Sequence, residues 1–262
     1  SVLHAALVQT DPRFGEAAAN LARALALVPA GRELAVLPEL CTTGYQFTGR
    51  DELRALAETV PDGPSCQALR AHAAASGTTL VAGLAERDGD RLYNTAVLVR
   101  PDGTVDRYRK IHLFDIDLPG MEHLKESKAV RPGEEVVVAE TALGVVGLSV
   151  CYDLRFPELY RELARRGALT LCVPAAFTER TGRDHWELLL RARAVENLAW
   201  VLAPAQAGHH GGGHGGGPIQ VRVGEDDVRA LAPEFEEGPL EVRLPRVLHE
   251  QLAHRMMVAA IE

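Results

Sequence analysis

The sequence predicts an α/β protein in which helices cover buried β-sheets, and three observations carry that prediction. Strand-like and helix-like stretches alternate along most of the chain. The chain has 262 residues and is 47% hydrophobic, which is enough to bury a sizeable core. Its apolar runs, such as 34–37 and 145–150, are far shorter than the ~18 residues that a membrane span requires. A disordered chain and a membrane-spanning helix bundle are therefore excluded as the overall class.

The individual elements follow from apolar periodicity and from the turn residues between them. The predicted strands cover Leu3 to Gln9, Leu34 to Pro38, Thr78 to Ala85, Tyr93 to Arg100, Thr104 to Arg109, Val136 to Glu140, Gly144 to Val150, Ala168 to Val173 and Ala199 to Ala205. The predicted helices cover Glu16 to Val28, Pro64 to Ala75, Pro157 to Arg166 and Asp184 to Leu198. Pro157 suits a first helical turn, and Gly77 and Gly167 suit helix ends. Residues 110–135 break the pattern into a long loop, and loops of that length are often functional.

Charge and cysteine usage narrow the range of partners. Lys plus Arg is 28 and Asp plus Glu is 36, so the formal net charge is −8. A chain of that sign has no overall attraction to nucleic acid or to anionic lipid, and neither is expected as a partner. The four cysteines are too few and too scattered for a disulfide framework or a CxxC metal site. This cysteine usage predicts a reducing cytoplasm. The start of the sequence has no basic segment followed by an apolar core, so we expect no export signal.

The most informative stretch is the one around Cys151. An apolar strand ending at Val150 runs directly into this cysteine, and a helix begins six residues later at Pro157. Catalytic sites of open α/β sheets collect at the carboxyl ends of strands, and a sharp strand-to-helix turn is the layout of a nucleophile elbow. From position alone, a small buried apolar role for Cys151 remains an equal alternative.

A catalytic thiol needs a base or a positively charged neighbour. His112, His123 and His185 are available as bases, although none stands in a papain-type context. The other option is a carboxylate with an ammonium group beside it. Glu39 follows one buried strand and Lys110 follows another, so the two could meet Cys151 if those strands are neighbours. Taken singly, each of these two charges also fits a solvated surface position.

Three segments together resemble the nitrilase superfamily of carbon–nitrogen hydrolases. They are 38–45, with Pro-Glu-Leu and Thr-Gly-Tyr; 108–115, with Tyr-Arg-Lys-Ile-His-Leu-Phe-Asp; and 151–158, with Cys-Tyr-Asp-Leu-Arg-Phe-Pro-Glu. They occur in the family's order of Glu, Lys and Cys, and the resemblance spans roughly residues 3 to 207. Supporting stretches lie at 119–120, 126–128, 132–133, 181–187 and 191–197. The closest branch looks like the Nit proteins, which include ω-amidase and deaminated glutathione amidase.

The resemblance implies a four-layer α-β-β-α sandwich (nitrilase-like), a single domain over residues 1–262, and a homodimer or higher homo-oligomer formed through outer helices. It also implies roles for particular residues. Glu39 would be the general base and Cys151 the nucleophile that attacks the amide carbon. Lys110 and the backbone N–H of Tyr152 would hold the oxyanion, and Glu126 matches a second carboxylate near the lysine. No metal or organic cofactor is implied.

The expected substrate is a small linear, carboxylate-bearing amide that is hydrolysed to acid and ammonia through a thioester. Tyr45 and Arg155 are candidate pocket residues, and a guanidinium there would explain a preference for a carboxylate. Arg155 could instead be paired with Asp153 or Glu158 as part of the scaffold. An N-carbamoyl amino acid hydrolase or a nitrilase would use the same trio, and a catalytically silent binding protein of this fold stays open.

The C-terminal region, residues 208–262, departs from the family's pattern. It begins with a Gly/His tract at 208–217, for which a flexible surface connection is preferred over a metal site because a loop without rigid geometry makes a poor specific site. The usual Asp-Pro-Trp-Gly turn is absent. Substrate choice is the property that this departure leaves open.

Overall fold

The computed structural model describes residues 2–45, 47, 49–116, 125–177, 181–208 and 238–245, and it contains two β-sheets. The six-stranded sheet has the order β10-β1-β2-β3-β4-β5 and the four-stranded sheet the order β6-β7-β8-β9. The first sheet consists of β1 (Val2–Gln9), β2 (Leu34–Val36), β3 (Thr79–Asp88), β4 (Arg91–Val99), β5 (Val105–Arg109) and β10 (Gly238–Pro245). The second consists of β6 (Val138–Thr141), β7 (Gly144–Leu148), β8 (Thr170–Cys172) and β9 (Trp200–Leu202). The α-helices are α1 (Ala17–Ala26), α2 (Arg50–Leu56), α3 (Pro64–Ser76), α4 (Pro157–Arg165) and α5 (Glu187–Asn197).

Strands β1 to β4 of the six-stranded sheet bury both of their faces, in two separate apolar clusters. In β1, Leu3, Ala5 and Leu7 join a core shared with β7, β8, β9, α4 and α5. The intervening Ala6 and Val8 join a second core shared with α1 and α3. Because successive side chains of a strand point to opposite faces, this alternation stacks helices, sheet, sheet and helices. The predicted α/β class and its four-layer α-β-β-α order are confirmed.

Strand direction brings several chain segments to one edge of the sandwich. Strands β1, β2 and β3 are parallel, β4 is antiparallel to β3, and β5 is antiparallel to β4. The end of β5 therefore lies at the same edge as the ends of β2 and β3. In the other sheet, β7, β8 and β9 are parallel, so their carboxyl ends also share an edge. Carboxyl ends of strands are where α/β folds build their sites.

One α-helix and one strand of the described residues were not predicted. The short helix α2 has a charged sequence with a weak apolar period, and it buries Leu53. Strand β10 pairs antiparallel with β1 over residues 238–245, within the region described from sequence only as divergent. Its alternation of Leu240 and Val242 with Glu241 and Arg243 is a period-2 signal that could have indicated a strand. The Gly/His tract after residue 208, the Pro119-Gly120 stretch and His123 lie outside the described residues. The single-domain assignment stays a prediction.

Candidate active site

Glu39 lies just past the end of β2 and its side chain is fully buried. The next residue, Leu40, has a left-handed backbone with φ 46°. A Cβ atom on Gly83 of β3 would overlap the backbone of Glu39, so glycine permits this close approach. From the second sheet, Gln206 Nε2 donates a 2.7 Å hydrogen bond to the Glu39 carbonyl. The segment that carries the carboxylate is thus fixed from both sheets.

Lys110 follows β5 and is also buried, with its ammonium group held between two carboxylates. Its Nζ lies 2.9 Å from Glu39 Oε1 and 2.9 Å from Glu126 Oε2. The Lys110 carbonyl accepts the Gly133 N–H at 2.8 Å, and a Cβ atom on Gly133 would overlap the Arg109 carbonyl. Buried charges are tolerated in proteins when they are paired and hydrogen-bonded, and Lys110 meets both conditions.

Glu126 comes from the long loop, where residues Glu126–Lys128 form a short 3-10 helix. Its Oε2 atom also accepts the Phe114 N–H at 2.7 Å. A residue that sequence reasoning missed, Asn94 in β4, donates from Nδ2 to Glu39 Oε1 at 2.7 Å and to Glu126 Oε1 at 2.8 Å. Glu39, Lys110, Glu126 and Asn94 therefore form a closed hydrogen-bonded ring.

Cys151 lies on a strained turn, where Glu39 and Lys110 of the ring influence its thiol. Its φ is 48°, a region that non-glycine residues rarely adopt, and it opens the 3-10 helix Cys151–Arg155 that leads into α4. The Cys151 N–H donates to the Pro174 carbonyl at 2.9 Å, and its Sγ lies 3.6 Å from the Ala176 carbonyl oxygen. The Tyr152 N–H belongs to the first helical turn, where the helix has no carbonyl of its own to offer.

Asp153 holds the elbow in place and was not identified as a site residue from sequence. Its buried carboxylate accepts the Val150 N–H at 2.9 Å and the Tyr108 hydroxyl at 2.7 Å on one oxygen. The other oxygen accepts the His112 N–H at 3.0 Å and meets His112 Nδ1 at 2.7 Å. Of the histidines considered as bases, His112 is therefore hydrogen-bonded to Asp153, and His185 contacts Arg155.

The charges of the ring shift the pKa values of its members. Burial raises the pKa of Glu39, Lys110 opposes that shift, and Glu126 adds to it, which leaves the pKa above its ordinary value. Burial acts to lower the pKa of Lys110, but Glu126 and then Glu39 outweigh it, so the pKa lies well above its usual range. Burial and the neighbouring Glu39 raise the pKa of Cys151 well above that of a free thiol. The site therefore pairs a protonated thiol with a carboxylate of increased basicity.

The two candidate pocket residues lie in different surroundings. Burial and then the charge of Glu126 raise the pKa of Tyr45, whose ring centroid lies 5.7 Å from that of Phe47. The Arg155 guanidinium lies 5.6 Å from the Tyr152 ring centroid and 5.7 Å from that of Phe177. Both of its Nη atoms lie 3.4 Å from His185 Nδ1.

The alternative in which Arg155 pairs with Asp153 or Glu158 as part of the scaffold is not found in the structure. Among the described residues Arg155 forms no ion pair, either with Asp153 or with Glu158. The Asp153 carboxylate is already occupied by donors from Tyr108, Val150 and His112. The guanidinium thus remains a cation beside the elbow without a carboxylate partner in the described part of the chain.

The other three cysteines are buried free thiols. Burial raises the pKa of Cys41 to about 12 and that of Cys66 to about 11, and it also raises the pKa of Cys172. No described group of three or more His, Cys, Asp or Glu side chains could hold a metal ion. No helix in the described ranges is long and apolar enough to cross a membrane.

An α-β-β-α sandwich with a buried thiol on a strained elbow, close to a carboxylate–ammonium–carboxylate ring, is an arrangement that can support acyl transfer to a cysteine. The chain belongs to the carbon–nitrogen hydrolase family, whose model matches residues 4–229. The resemblance to the nitrilase superfamily inferred from sequence is therefore confirmed.

Individual relatives agree with this membership. A deaminated glutathione amidase of Synechocystis sp. is 38% identical over 245 residues, which cover 87% of this chain and 88% of the relative. Omega-amidase NIT2 of Danio rerio is 40% identical over 211 residues, which cover 78% of this chain and 72% of the relative. The crystal structure of Saccharomyces cerevisiae Nit3, a nitrilase-superfamily member, matches with a TM-score of 0.78 and 30% identity, covering 97% of this chain and 92% of Nit3.

The raised pKa of Glu39 predicts that this residue limits stability at high pH. Folding favours its protonated form, so its contribution is fully present below the ordinary pKa of 4.5 and is lost as pH rises through the folded-state pKa. We expect Glu39→Gln to unfold like the wild type near pH 4. At pH 8 its free energy of unfolding should be higher than that of the wild type, because glutamine keeps the neutral form that the folded site favours.

Urea unfolding at both pH values measures this difference. Glu134→Gln is the matched control, because Glu134 is exposed and its replacement should leave both values unchanged. A Glu39→Gln variant less stable than the wild type at pH 8 would contradict the prediction.

Proposed function

We propose that this protein is an amidase that hydrolyses small linear, carboxylate-bearing amides to the acid and ammonia, with Glu39, Lys110 and Cys151 as its catalytic triad. The observation that carries the proposal is the Lys110 ammonium, fixed between Glu39 and Glu126, with Cys151 near enough for Glu39 and Lys110 to influence the pKa of its thiol. Relatives named deaminated glutathione amidase and omega-amidase support the reaction type. The four unpaired thiols fit a reducing compartment, and we assign the activity to the cytoplasm.

The first step is the attack of the thiol on the amide carbon. Glu39 takes the proton from the Cys151 thiol as the Sγ–carbon bond forms, and the carbonyl π electrons move to the oxygen. Such a base is required because the pKa of Cys151 is raised and the thiol is protonated at neutral pH. The Glu39 carboxylate can accept this proton because its own pKa is raised toward the working pH.

The tetrahedral oxyanion is stabilised by two preorganised donors. An ammonium group has three N–H bonds, and Lys110 uses two of them on Glu39 and Glu126. The third is left for the oxyanion, together with the Tyr152 backbone N–H at the start of the 3-10 helix. A charged donor in a buried site is worth several kcal/mol by comparison with single oxyanion-hole donors, which contribute about 3–4 kcal/mol.

The second half of the reaction returns the enzyme to its starting state. Glu39 gives its proton to the leaving nitrogen, and the carbon–nitrogen bond breaks. Ammonia departs, and the acyl group remains on Cys151 as a thioester. Glu39 then takes a proton from water, whose oxygen attacks the thioester carbon. Collapse of that intermediate releases the carboxylic acid, and the proton returns from Glu39 to the thiolate.

Arg155 supports the assignment of a carboxylate-bearing substrate. Its guanidinium lies next to the elbow, over the Tyr152 ring, and has no ion-pair partner among the described side chains. A planar guanidinium recognises a carboxylate through two parallel hydrogen bonds. Tyr45, whose pKa is influenced by Glu126, Lys110 and Glu39, is proposed as a second pocket residue.

We expect Cys151→Ala to abolish ammonia release while leaving the fold intact. The thiol is the only group proposed to form the covalent intermediate, and alanine removes only one buried atom. Ammonia release is measured on a panel of ω-amides, N-carbamoyl amino acids and nitriles. This panel also separates the amidase from the carbamoyl hydrolase, the nitrilase and the silent scaffold.

Cys172→Ala is the matched control, because Cys172 is a buried free thiol that lies on β8 and takes no part in the proposed reaction. It should keep wild-type turnover, and its free energy of unfolding should fall only modestly. Residual ammonia release by Cys151→Ala, or a wild type inactive on every member of the panel, would refute the proposal.

Removal of the Arg155 charge should weaken binding of carboxylate-bearing amides selectively. For Arg155→Gln we expect KM for an ω-amide carrying a carboxylate to rise about 10–100-fold, the value of one charge-assisted contact of roughly 1.5–3 kcal/mol. For a neutral amide of the same length KM should change by less than about twofold. Steady-state kinetics on the two substrates measures the ratio, and Arg161→Gln, on the α4 surface, serves as control. Equal effects on both amides would rule out carboxylate recognition by Arg155.

We also propose that the protein is a homodimer that associates through α5. The large apolar side chains that are exposed among the described residues lie on α5 and at its end. Their exposed fractions are 67% for Leu188, 41% for Val195 and 37% for Leu198. Leu188 and Val195 are seven residues apart and therefore lie on one face of the helix. Exposed apolar side chains grouped in this way are typical of an interaction surface.

The oligomer is tested by light scattering. The wild type should have twice the chain mass of 28.3 kDa, and the double variant Leu188→Glu with Val195→Glu should shift to the monomer mass. Ala18→Glu, on the exposed part of α1, introduces the same charge elsewhere and should leave the dimer intact. A monomeric wild type at micromolar concentration would overturn this assignment.

A further inference from the structure

Asn94 is the one member of the hydrogen-bonded ring for which the proposed reaction has no role. It lies in β4, is 2% exposed, and carries no charge. Its Nδ2 atom donates to a carboxylate oxygen of Glu39 at 2.7 Å and to one of Glu126 at 2.8 Å. Its own backbone carbonyl accepts the Lys110 N–H at 2.8 Å. Asn94 is therefore bonded to all three charged members of the ring.

The orientation of the Asn94 amide follows from these partners. A carboxamide NH₂ group has two hydrogens, and each is used on a different carboxylate. A flipped amide would place its oxygen against two carboxylate oxygens, so only the observed orientation is compatible with the ring. In that orientation Asn94 Oδ1 is buried and has no hydrogen-bond partner in the described part of the chain. Buried polar atoms are seldom left unpaired, and here the two donated bonds outweigh that cost.

The donors are distributed unequally over the two carboxylates. Glu126 has both oxygens occupied, since Oε1 accepts from Asn94 and Oε2 accepts from Lys110 and from the Phe114 N–H. On Glu39, Oε1 accepts from both Asn94 and Lys110. Glu39 Oε2 is buried and accepts no hydrogen bond from a described N–H or hydroxyl group, and the Cys151 thiol lies within hydrogen-bonding reach of this carboxylate. A free oxygen for proton transfer therefore exists on Glu39 and not on Glu126.

We propose that Asn94 is a positioning residue that fixes Glu39 Oε1, so that proton exchange with the Cys151 thiol and the leaving nitrogen proceeds through Oε2. This role rests on the proposed amidase function and deepens it. Lys110 alone cannot fix the carboxylate plane, because an ammonium is a point charge on a flexible stem. The second donor from Asn94, built into a central strand, removes the remaining rotation. Asn94 also ties the two carboxylates together, so both keep their places around Lys110.

The groups that face Glu39 set the sign of the expected effect. They are Lys110 at the end of β5, Glu126 in the loop, Tyr45 after β2 and Cys151 at the elbow. None of them is removed when Asn94 is replaced. A hydrogen bond donated to the ionised form of an acid lowers its pKa, and loss of that bond raises it. Removal of the Asn94 donor should therefore raise the pKa of Glu39 further.

The test compares Asn94→Ala with the wild type and with Asn197→Ala. Asn197 is a matched control, because it is also a buried asparagine with one donated bond, to the Arg193 carbonyl at 2.9 Å, and an unpaired Oδ1. The first measurement is the rate of alkylation of Cys151 by iodoacetamide between about pH 4 and pH 9, read from the Cys151 peptide by mass spectrometry. The second is the pH dependence of kcat and KM for the best amide of the substrate panel.

The acid limb of the alkylation profile is its low-pH side, where the rate of alkylation falls. For Asn94→Ala we expect this limb to lie about one pH unit higher than in the wild type. We expect kcat to fall about 10–100-fold, with KM within about threefold of wild type, because the bond acts on proton transfer and not on substrate. Asn197→Ala should reproduce any general loss of stability without moving the limb. Should Asn94→Ala fail to fold, Asn94→Ser keeps a small polar side chain in β4 that is too short to bridge both carboxylates, and it should move the limb in the same direction.

A limb that stays within about 0.3 pH unit of wild type, or one that Asn197→Ala moves equally, would overturn the role of Asn94. Alkylation requires no turnover, so the two proposals fail separately. If the limb shifts while no amide is hydrolysed, the positioning role stands and the amidase assignment falls. If amides are hydrolysed and the limb does not move, the amidase assignment stands and the positioning role falls.

Discussion

The Lys110 ammonium, buried between two carboxylates, is the interaction on which the rest of this site depends. A lone ammonium or carboxylate could not remain ionised at such depth, because burial disfavours the charged form by several kcal/mol. Glu39 and Glu126 keep Lys110 protonated, and Lys110 keeps its two acidic neighbours compatible with each other. Burial is the main cause of the raised pKa of Glu39, and the second carboxylate, Glu126, adds to it because one ammonium does not balance two carboxylates fully.

Much of the surrounding backbone serves to bring these groups together. Gly83 and Gly133 lie where a side chain would overlap the segments carrying Glu39 and Lys110. Gln206 reaches from the end of the four-stranded sheet to the Glu39 carbonyl, and so it joins the two sheets at the site. Asp153 does the equivalent for the elbow, because its carboxylate ties the strand end at Val150 to Tyr108 on the opposite sheet. The face-to-face packing of the sheets is therefore what sets the geometry of the site.

The four cysteines differ in where they lie in the fold, and therefore in the groups that surround each thiol. Cys41 lies two residues after Glu39 in the chain, and its pKa is raised to about 12 by burial. Cys151 is equally buried but stands at φ 48° on the elbow, with Lys110 and Glu39 influencing its thiol. A strained backbone is maintained only where the surrounding structure holds it, and such strain is concentrated at functional sites. The Asp153 network supplies that support here.

The sequence by itself determined the α/β class, most of the strands and helices, and the family, because apolar periodicity and short motifs are local signals that survive without coordinates. It also placed Glu39, Lys110, Glu126 and Cys151 on segments that a site could use. Asn94 escaped notice because an asparagine in a strand interior has no local signature. Strand β10 was missed although its sequence alternates apolar and charged residues, and its pairing with β1, more than 200 residues away, is a tertiary property. Only the tertiary structure decided which charges share a hydrogen bond and that Asp153 is unavailable to Arg155. Those facts depend on distances of about 3 Å between residues remote in the chain, and such distances are set by sheet packing and not by neighbours in sequence.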